Sequence, residues 1–317
     1  MTPDQIADAL QRVRAAVATR VVGQDAVIDE ALVAVLAGGH ALLEGVPGVA
    51  KTLLARSLAG ALGARYGRIQ FTPDLMPSDV TGVSVLREAA GTFEFHPGPV
   101  FTDFLLADEI NRAPAKTQAA LLEAMQERQV TVDGVPRPLG PLFTVFATQN
   151  PVEYEGTYPL PEAQLDRFLL KIRVPYPPLE AELEMLERYE RGADPERQGA
   201  APEPALDAAA LAGVREATAA VRVAAEVRAY CAAIVRATRD DPALTLGGSP
   251  RATVALFKAT RAAAVLAGRE FATPDDVKAY ATAALRHRVV LAPELEVEGR
   301  TTDDVLEGVL SRVPAPQ

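Results

Sequence analysis

The chain has 317 residues, 49% of them hydrophobic and 23% charged, the balance of an ordinary soluble globular protein with enough length for two packed units. A formal net charge of −10 argues against non-specific nucleic-acid binding as the main activity, because neutralising phosphates takes clustered Lys and Arg. Cys231 is the only cysteine, which excludes an internal disulfide and a thiolate metal cluster; it reads as a small buried apolar residue in a helix.

The first residues, Met1-Thr2-Pro3-Asp4-Gln5, are polar and acidic and do not read as a secretory signal. Ile6, Leu10, Val13 and Val17 recur at helical spacing, which predicts an amphipathic helix ending before Val21-Val22-Gly23-Gln24, and a second helix is expected over 24–36. The longest apolar stretch, 31–43, is broken by Gly38, Gly39 and His40 and is too short to span a bilayer, so the expectation is a cytoplasmic protein. A short apolar run at 40–44 then enters a glycine-bearing turn, and 52–62 is helical in pattern and closes at Gly63. Further short apolar or β-branched runs lie at 68–72, 104–107, 142–148 and 168–174, with a helix over 114–128 that has proline at its start. Strands alternating with helices predict an α/β fold with a parallel five-stranded sheet covered on both faces. Two hairpins interrupt the alternation: 80–95, turning around Ala89-Ala90-Gly91, and 130–135, turning at Asp133-Gly134. A helix follows over 179–191, and the Pro/Gly/Ala-rich stretch 194–204 reads as a mobile loop. From 206 onward the pattern is helical, near 206–219, 223–239, 250–267 and 274–288, with a strand possible only at 289–291. The expected organisation is a core at 1–178, a connecting helix and linker at 179–205, and a small all-α domain at 206–317.

Chemistry concentrates in a few segments. In Gly45-Val46-Pro47-Gly48-Val49-Ala50-Lys51-Thr52, glycines permit tight curvature so that backbone N–H groups converge on a phosphate chain. Lys51 supplies a cation for the terminal phosphates and Thr52 a hydroxyl for Mg²⁺; Ala50 stands where the general pattern asks for glycine. Leu105-Leu106-Ala107-Asp108-Glu109 is an apolar strand ending in two acids, the first suited to hold Mg²⁺ through water and the second to polarise an attacking water. Phe146-Ala147-Thr148-Gln149-Asn150 ends a β run in a side-chain amide able to orient water, though Asn150-Pro151 alone would equally form a turn. Arg167 and Arg251 are candidates to stabilise charge in phosphoryl transfer, although each, taken singly, also fits a surface ion pair.

Together with Leu160-Pro161-Glu162-Ala163-Gln164-Leu165-Asp166-Arg167-Phe168 and Ser249-Pro250-Arg251-Ala252, these segments resemble the signature series of MoxR-family AAA+ ATPases, in order, from about residue 21 to 287. In that family Ala50 is the usual residue. The resemblance implies an AAA+ P-loop core followed by a helical lid, with ATP and Mg²⁺ as cofactors. Asn150 would be the sensor-1 residue, Arg251 the sensor-2 residue reading nucleotide from the lid, and Arg167 an arginine finger acting on the neighbouring subunit. Val21 and Val22 would lie against the adenine, the strands leading to Lys51 and Asn150 would be adjacent, and the hairpins would line a ring pore. It further implies a hexameric homo-oligomer, often working with a partner that carries a von Willebrand factor A domain, in chaperone-like remodelling.

Three other readings stay open on the sequence: the ATPase subunit of a metal-chelatase complex, a low-turnover ATP-bound scaffold or switch, and a DNA translocase, the last disfavoured by the charge. His40, His96 and His287 show no ligand spacing, so no metal beyond Mg²⁺ is expected. Arg112 reads as an ion-pair partner, and no role follows for His96.

Overall fold

Thr2 opens α1 (Pro3–Ala18): its hydroxyl accepts from Gln5 N at 3.3 Å while the Gln5 side chain accepts from Thr2 N at 2.9 Å, satisfying two otherwise orphaned amides. Ile6, Leu10, Val13 and Val17 are all buried, as their spacing requires. The computed structural model describes residues 1–87, 91–150, 156–192 and 202–316. In chain order α1 is followed by α2 (Asp25–Leu36), β1 (Ala41–Glu44), α3 (Lys51–Ala61), β2 (Tyr66–Gln70) and α4 (Pro77–Thr81). Then come β3 (Gly82–Arg87), β4 (Thr92–Pro97), β5 (Phe104–Asp108), a 3₁₀ turn (Ile110–Arg112), α5 (Ala115–Glu127), β6 (Gln129–Val132) and β7 (Val135–Pro138). The core closes with β8 (Thr144–Gln149), α6 (Glu162–Leu165), β9 (Leu170–Arg173) and α7 (Leu179–Glu190). The remainder is α8 (Ala208–Ala220), α9 (Ala225–Ala237), β10 (Leu244–Leu246), α10 (Pro250–Leu266), α11 (Pro274–Leu285), β11 (Val290–Leu291), α12 (Pro293–Val297) and α13 (Thr302–Arg312).

The five expected strands form one parallel sheet in the order β2-β5-β8-β1-β9. Its central strands are buried on both sides, and their side chains alternate between two cores. Phe104 and Leu106 of β5 join the cluster that holds α1, α2 and α3, whereas Leu105 and Ala107 join the one that holds α5. Continuous apolar runs are therefore what a covered parallel sheet demands.

Both hairpins are present, β3 with β4 and β6 with β7. Asp133 (φ +52°) and Gly134 (φ +75°) both take positive φ, the two-residue turn that an Asp-Gly pair favours. Ala89 and Ala90 of the expected turn at 89–91, and most of the expected loop at 194–204, lie outside the described residues.

After 206 there is one small sheet: β11 lies within 289–291, the one place where the pattern allowed a strand, and β10 had no signal. β10 pairs antiparallel with β11, and three residues are too few to show alternation. The terminal helices do not stand apart from the sheet: buried residues of α8 to α11 share one continuous core with α1, α2 and α3, and α10 packs along α2. No helix among the described residues is long and apolar enough to cross a membrane.

Candidate active site

The loop between β1 and α3 turns on three positions. A Cβ on Gly45 would lie 2.5 Å from the Val174 carbonyl, so only glycine lets β1 leave the sheet here. Gly48 has φ +87°. Ala50 sits at φ +62°, ψ 23°, directly before α3, so the sixth position of the loop is left-handed and the general preference for glycine there has a geometric cause. Alanine carries about 1 kcal/mol of strain in that conformation. Lys51 curls back over the loop, its Nζ donating to Gly45 O and, at 3.1 Å, to Val46 O. Thr52 Oγ1 faces Asp108 Oδ2 at 3.4 Å.

The two acids end β5 under different constraints. Asp108 is buried; Thr148 Oγ1 donates to its Oδ1 at 2.6 Å, and Arg68 Nη2 donates to its Oδ2 at 2.7 Å. Glu109 takes φ +56°, ψ 51°, a left-handed geometry unfavourable for a side chain of this size and typical of positions fixed by function. Its amide donates to Thr148 Oγ1 at 2.8 Å, so one threonine connects both acids. Gln70 Nε2 donates to Glu109 Oε2 at 2.8 Å, and Arg112 Nε lies 3.0 Å from the same oxygen, the expected ion pair. Arg68, Gln70 and Thr148 were not singled out by sequence reasoning. Gln70 stands beside Asp108 in the β2–β5 register, and Arg68 and Gln70 share a strand face by their two-residue spacing. Only the pairing of β2 with β5 makes that spacing informative.

These groups line a cavity of about 350 Å³. Val21, Val22 and Met185 line it together with residues 47–53, Asp108, Glu109, Thr148 and Asn150. Gln24 Nε2 donates to Pro175 O at 2.9 Å and Arg188 donates to Thr19 O, so α7 is tied against the α1–α2 connection as a wall. Tyr189 and Arg188 on that wall had no signal in the sequence beyond an amphipathic helix. Asn150 is buried and follows β8, which pairs with β1; Gly45 N donates to Gln149 O at 3.4 Å, so loop and amide leave adjacent strands side by side. The cavity suits a nucleoside triphosphate, with apolar side chains for a base and converging N–H groups plus Lys51 for phosphates. The Thr52 hydroxyl and the Asp108 carboxylate are close enough to face one hard cation such as Mg²⁺.

Arg167 and Arg251 are not part of this cavity. They line a second one, of about 380 Å³, together with Gly38, Gly39, His40, Arg128, Asp166, Lys258 and Arg288. No residue lines both cavities. Gly38 to His40 precede β1 and Gly45 follows it, so the cavities sit at opposite ends of a strand whose four residues span about 13 Å. The packing of α10 on α2 carries Arg251, expected to read nucleotide from the lid, to the amino ends of the strands, beside Arg167 and apart from the first cavity. Arg251 Nη1 lies 3.9 Å from Asp166 Oδ2, and its side chain is 54% exposed. Arg167 makes no ion pair among the described residues, and its Nε has no hydrogen-bond partner there. His40 adds no charge to this wall, because burial pushes its imidazole down to about 3. It bridges as a neutral ring, accepting from Val145 N at 2.9 Å and facing Met125 O at 3.3 Å.

A parallel sheet with a phosphate loop after β1, paired acids after β5 and an amide after the strand between them defines the class, an AAA+ P-loop ATPase with a helical lid. Comparison with known proteins agrees. The sequence model of the ATPase family associated with various cellular activities (AAA) matches residues 40–170, and that of the AAA lid domain matches 236–309. The chain is 47% identical to the uncharacterized protein YeaC of Bacillus subtilis over 93% of its length and 91% of the relative's. It is 43% identical to the chaperone MoxR1 of Mycobacterium tuberculosis (94% and 80% covered) and 34% identical to the protein MoxR of Methylorubrum extorquens (98% and 96% covered). The crystal structure of a candidate ATPase from Cytophaga hutchinsonii superposes with a TM-score of 0.90 at 39% identity, covering 99% of this chain and 97% of that one. The chain belongs to the MoxR family of AAA+ ATPases.

Proposed function

We propose that this chain hydrolyses ATP with Mg²⁺ in a closed head-to-tail ring, hexameric as the family resemblance implies, and uses the cycle to remodel or activate a partner protein complex in the cytoplasm. The observation that carries the reading is the separation of the two cavities. One holds everything needed to bind a nucleotide and activate water; the other holds the arginines, and the strand between them keeps the two apart within one chain. A heterologous contact brings one chain's second cavity onto the next chain's first, and repetition of that contact closes a ring.

In this reading Val21 and Val22 pack against the adenine, and the amides of Val46, Gly48, Val49, Ala50 and their neighbours, with Gly45 and Gly48 setting the curve, receive the phosphates beside Lys51. Proline lacks an amide, so Pro47 shapes the loop without donating. Thr52 and Asp108 would hold Mg²⁺, which neutralises charge on the phosphate oxygens when bound. Glu109 accepts the proton of the attacking water, and Asn150 orients that water toward the terminal phosphate. Arg167 and Arg251 of the adjacent chain stabilise charge as it develops on the transferred group. Arg251 stands in the first turn of the long helix α10, where backbone N–H groups also favour an anion.

The hairpins suit a pore lining: Val83, Val85, Leu86 and Phe93 are exposed on β3 and β4, Phe93 at 73%. The name of the mycobacterial relative supports a chaperone-like task, and a von Willebrand factor A domain protein remains the partner class that the resemblance implies. Nucleic acid is not the expected client, given the charge of −10.

Mixing two inactive variants tests the core of this reading. A Lys51→Ala chain lacks a nucleotide site but supplies arginines, and an Arg167→Ala chain has the reverse defect. Mixed rings should regain ATPase activity that neither variant shows alone. Full turnover by Arg167→Ala on its own would overturn the trans assignment. Capture of proteins by a Glu109→Gln variant held in ATP should then retain the client.

A further inference from the structure

Arg288 is the most deeply buried cation described in the second cavity, with a side chain only 3% exposed, and burial lowers its pKa from the usual arginine range. All five of its guanidinium N–H groups have acceptors. Nε donates to Asp166 Oδ1 at 2.6 Å; Nη1 donates to Leu169 O at 3.0 Å and to Ala284 O; Nη2 donates to Asp166 O at 3.1 Å and to Phe168 O at 2.5 Å. Four of the five acceptors belong to residues 166–169, and they bracket Arg167: one carbonyl lies directly before it and two follow. The flanking residues add to the seam. His287 Nε2 lies 3.0 Å from Phe168 O, and Arg286 Nη1 donates to Lys171 O at 3.2 Å.

Packing alone does not call for this arrangement. A buried guanidinium is costly to desolvate, and an apolar residue of similar volume often stabilises a core equally well. What a planar five-donor fork adds is geometry: it fixes several carbonyls at once, which neither lysine nor an apolar side chain can do. Asp166 extends the network, because its carboxylate also accepts from Ser249 Oγ at 3.3 Å and faces Arg251. The C-terminal end of α11, the start of α10 and the segment carrying Arg167 are thereby joined through one guanidinium and one carboxylate.

We propose that Arg288 is a positioning residue for the arginine finger: through its grip on residues 166–169 it fixes the direction of Arg167 and makes Arg167 and Arg251 move with the lid as one body. The inference rests on the trans reading above. It predicts that lid position in one chain sets catalytic competence in the next, with no change in how the first chain binds its own nucleotide.

The test uses mixed rings again. An Arg167→Ala chain binds nucleotide, and a Lys51→Ala chain supplies the finger; their joint activity is the control, and its absence would count against the trans reading itself. Arg288→Lys is then added to the Lys51→Ala chain, where no nucleotide site of its own is left to damage. Rescue should fall by about 10- to 100-fold, the scale on which a displacement near 1 Å acts on a positioned group. In an otherwise unchanged chain, Arg288→Lys should lower kcat by a similar factor and leave the affinity for a fluorescent ATP analogue within about twofold, a split that general loss of stability would not produce. Full rescue by the Arg288→Lys finger chain, with the control intact, overturns the proposal. Should that variant fail to fold, Asp166→Asn in the finger chain removes the charged acceptor and leaves four N–H groups of Arg288 with their carbonyls. Reduced rescue supports the proposal there, and full rescue overturns it.

Discussion

The two cavities at the ends of β1 are built on opposite plans. At the carboxyl end, short-range sequence does most of the work: a loop whose curvature comes from Gly45, Gly48 and the left-handed Ala50 presents amides, and two consecutive acids wait at the end of β5. At the amino end the wall is assembled from segments far apart in the chain, Gly38–His40, Asp166–Arg167, Arg251 and Arg288, and its charge is mostly positive around a single carboxylate. The first cavity has two acids and the phosphate loop but neither Arg167 nor Arg251; the second has those arginines and no phosphate loop. Each lacks what the other holds, which is the observation behind the proposal that a single chain is half of two active sites.

Substitutions can break that comparison, and the largest effect should come from the second cavity. Arg167→Ala is expected to lower turnover about 10³-fold or more while the chain's own nucleotide affinity stays nearly constant, as steady-state ATPase and equilibrium binding would show. Glu109→Gln, in the first cavity, should reduce hydrolysis by about 10²- to 10⁴-fold and leave a bound ATP state long-lived enough to isolate. A smaller loss, about 10- to 100-fold in kcat, is expected for Arg251→Ala, because it sits beside Arg167 and is more exposed. If Arg251→Ala instead weakened binding at its own chain's site, the two-cavity division would fail.

Two gentler changes sharpen it. Glu30, on α2 at the seam with the terminal helices, has its pKa raised to about 7 by burial, which outweighs the nearby Arg286. The native state therefore holds a proton that the unfolded chain releases at lower pH, so stability declines as pH rises from the ordinary carboxylate range through about 7. Glu30→Gln should flatten this slope and raise stability above pH 8 by about 1–2 kcal/mol, measured by denaturant unfolding at several pH values. Ala50→Gly relieves a left-handed alanine and adds freedom to the unfolded chain; the opposing terms leave a net change below about 1 kcal/mol. Thermal unfolding with and without ATP would show whether the strain is a stability cost alone or also tunes binding.

Much of the first cavity could be read from residue order. The spacing of Gly45, Gly48, Lys51 and Thr52 requires only a strand, a turn and a helix start, which local pattern supplies, and Asp108-Glu109 at the end of an apolar run requires only one more strand. The adjacency of β1 and β8 followed from the family resemblance and was observed. By contrast, Gln70 and Arg68 hold the two acids only because β2 lies beside β5, and Thr148 links them only because β8 lies on the other side. Arg251 shows the limit most plainly: its segment was legible, and its place was not.

Local sequence, then, determined where strands, helices and the phosphate loop form, because curvature, capping and periodic burial act over a few residues. Tertiary structure decided which charges meet. The packing of α10 and α11 against α2 and β9 set Arg251 and Arg288 beside Arg167, since the direction in which an apolar helix face docks depends on the whole core it joins and not on the residues that the helix displays to the solvent.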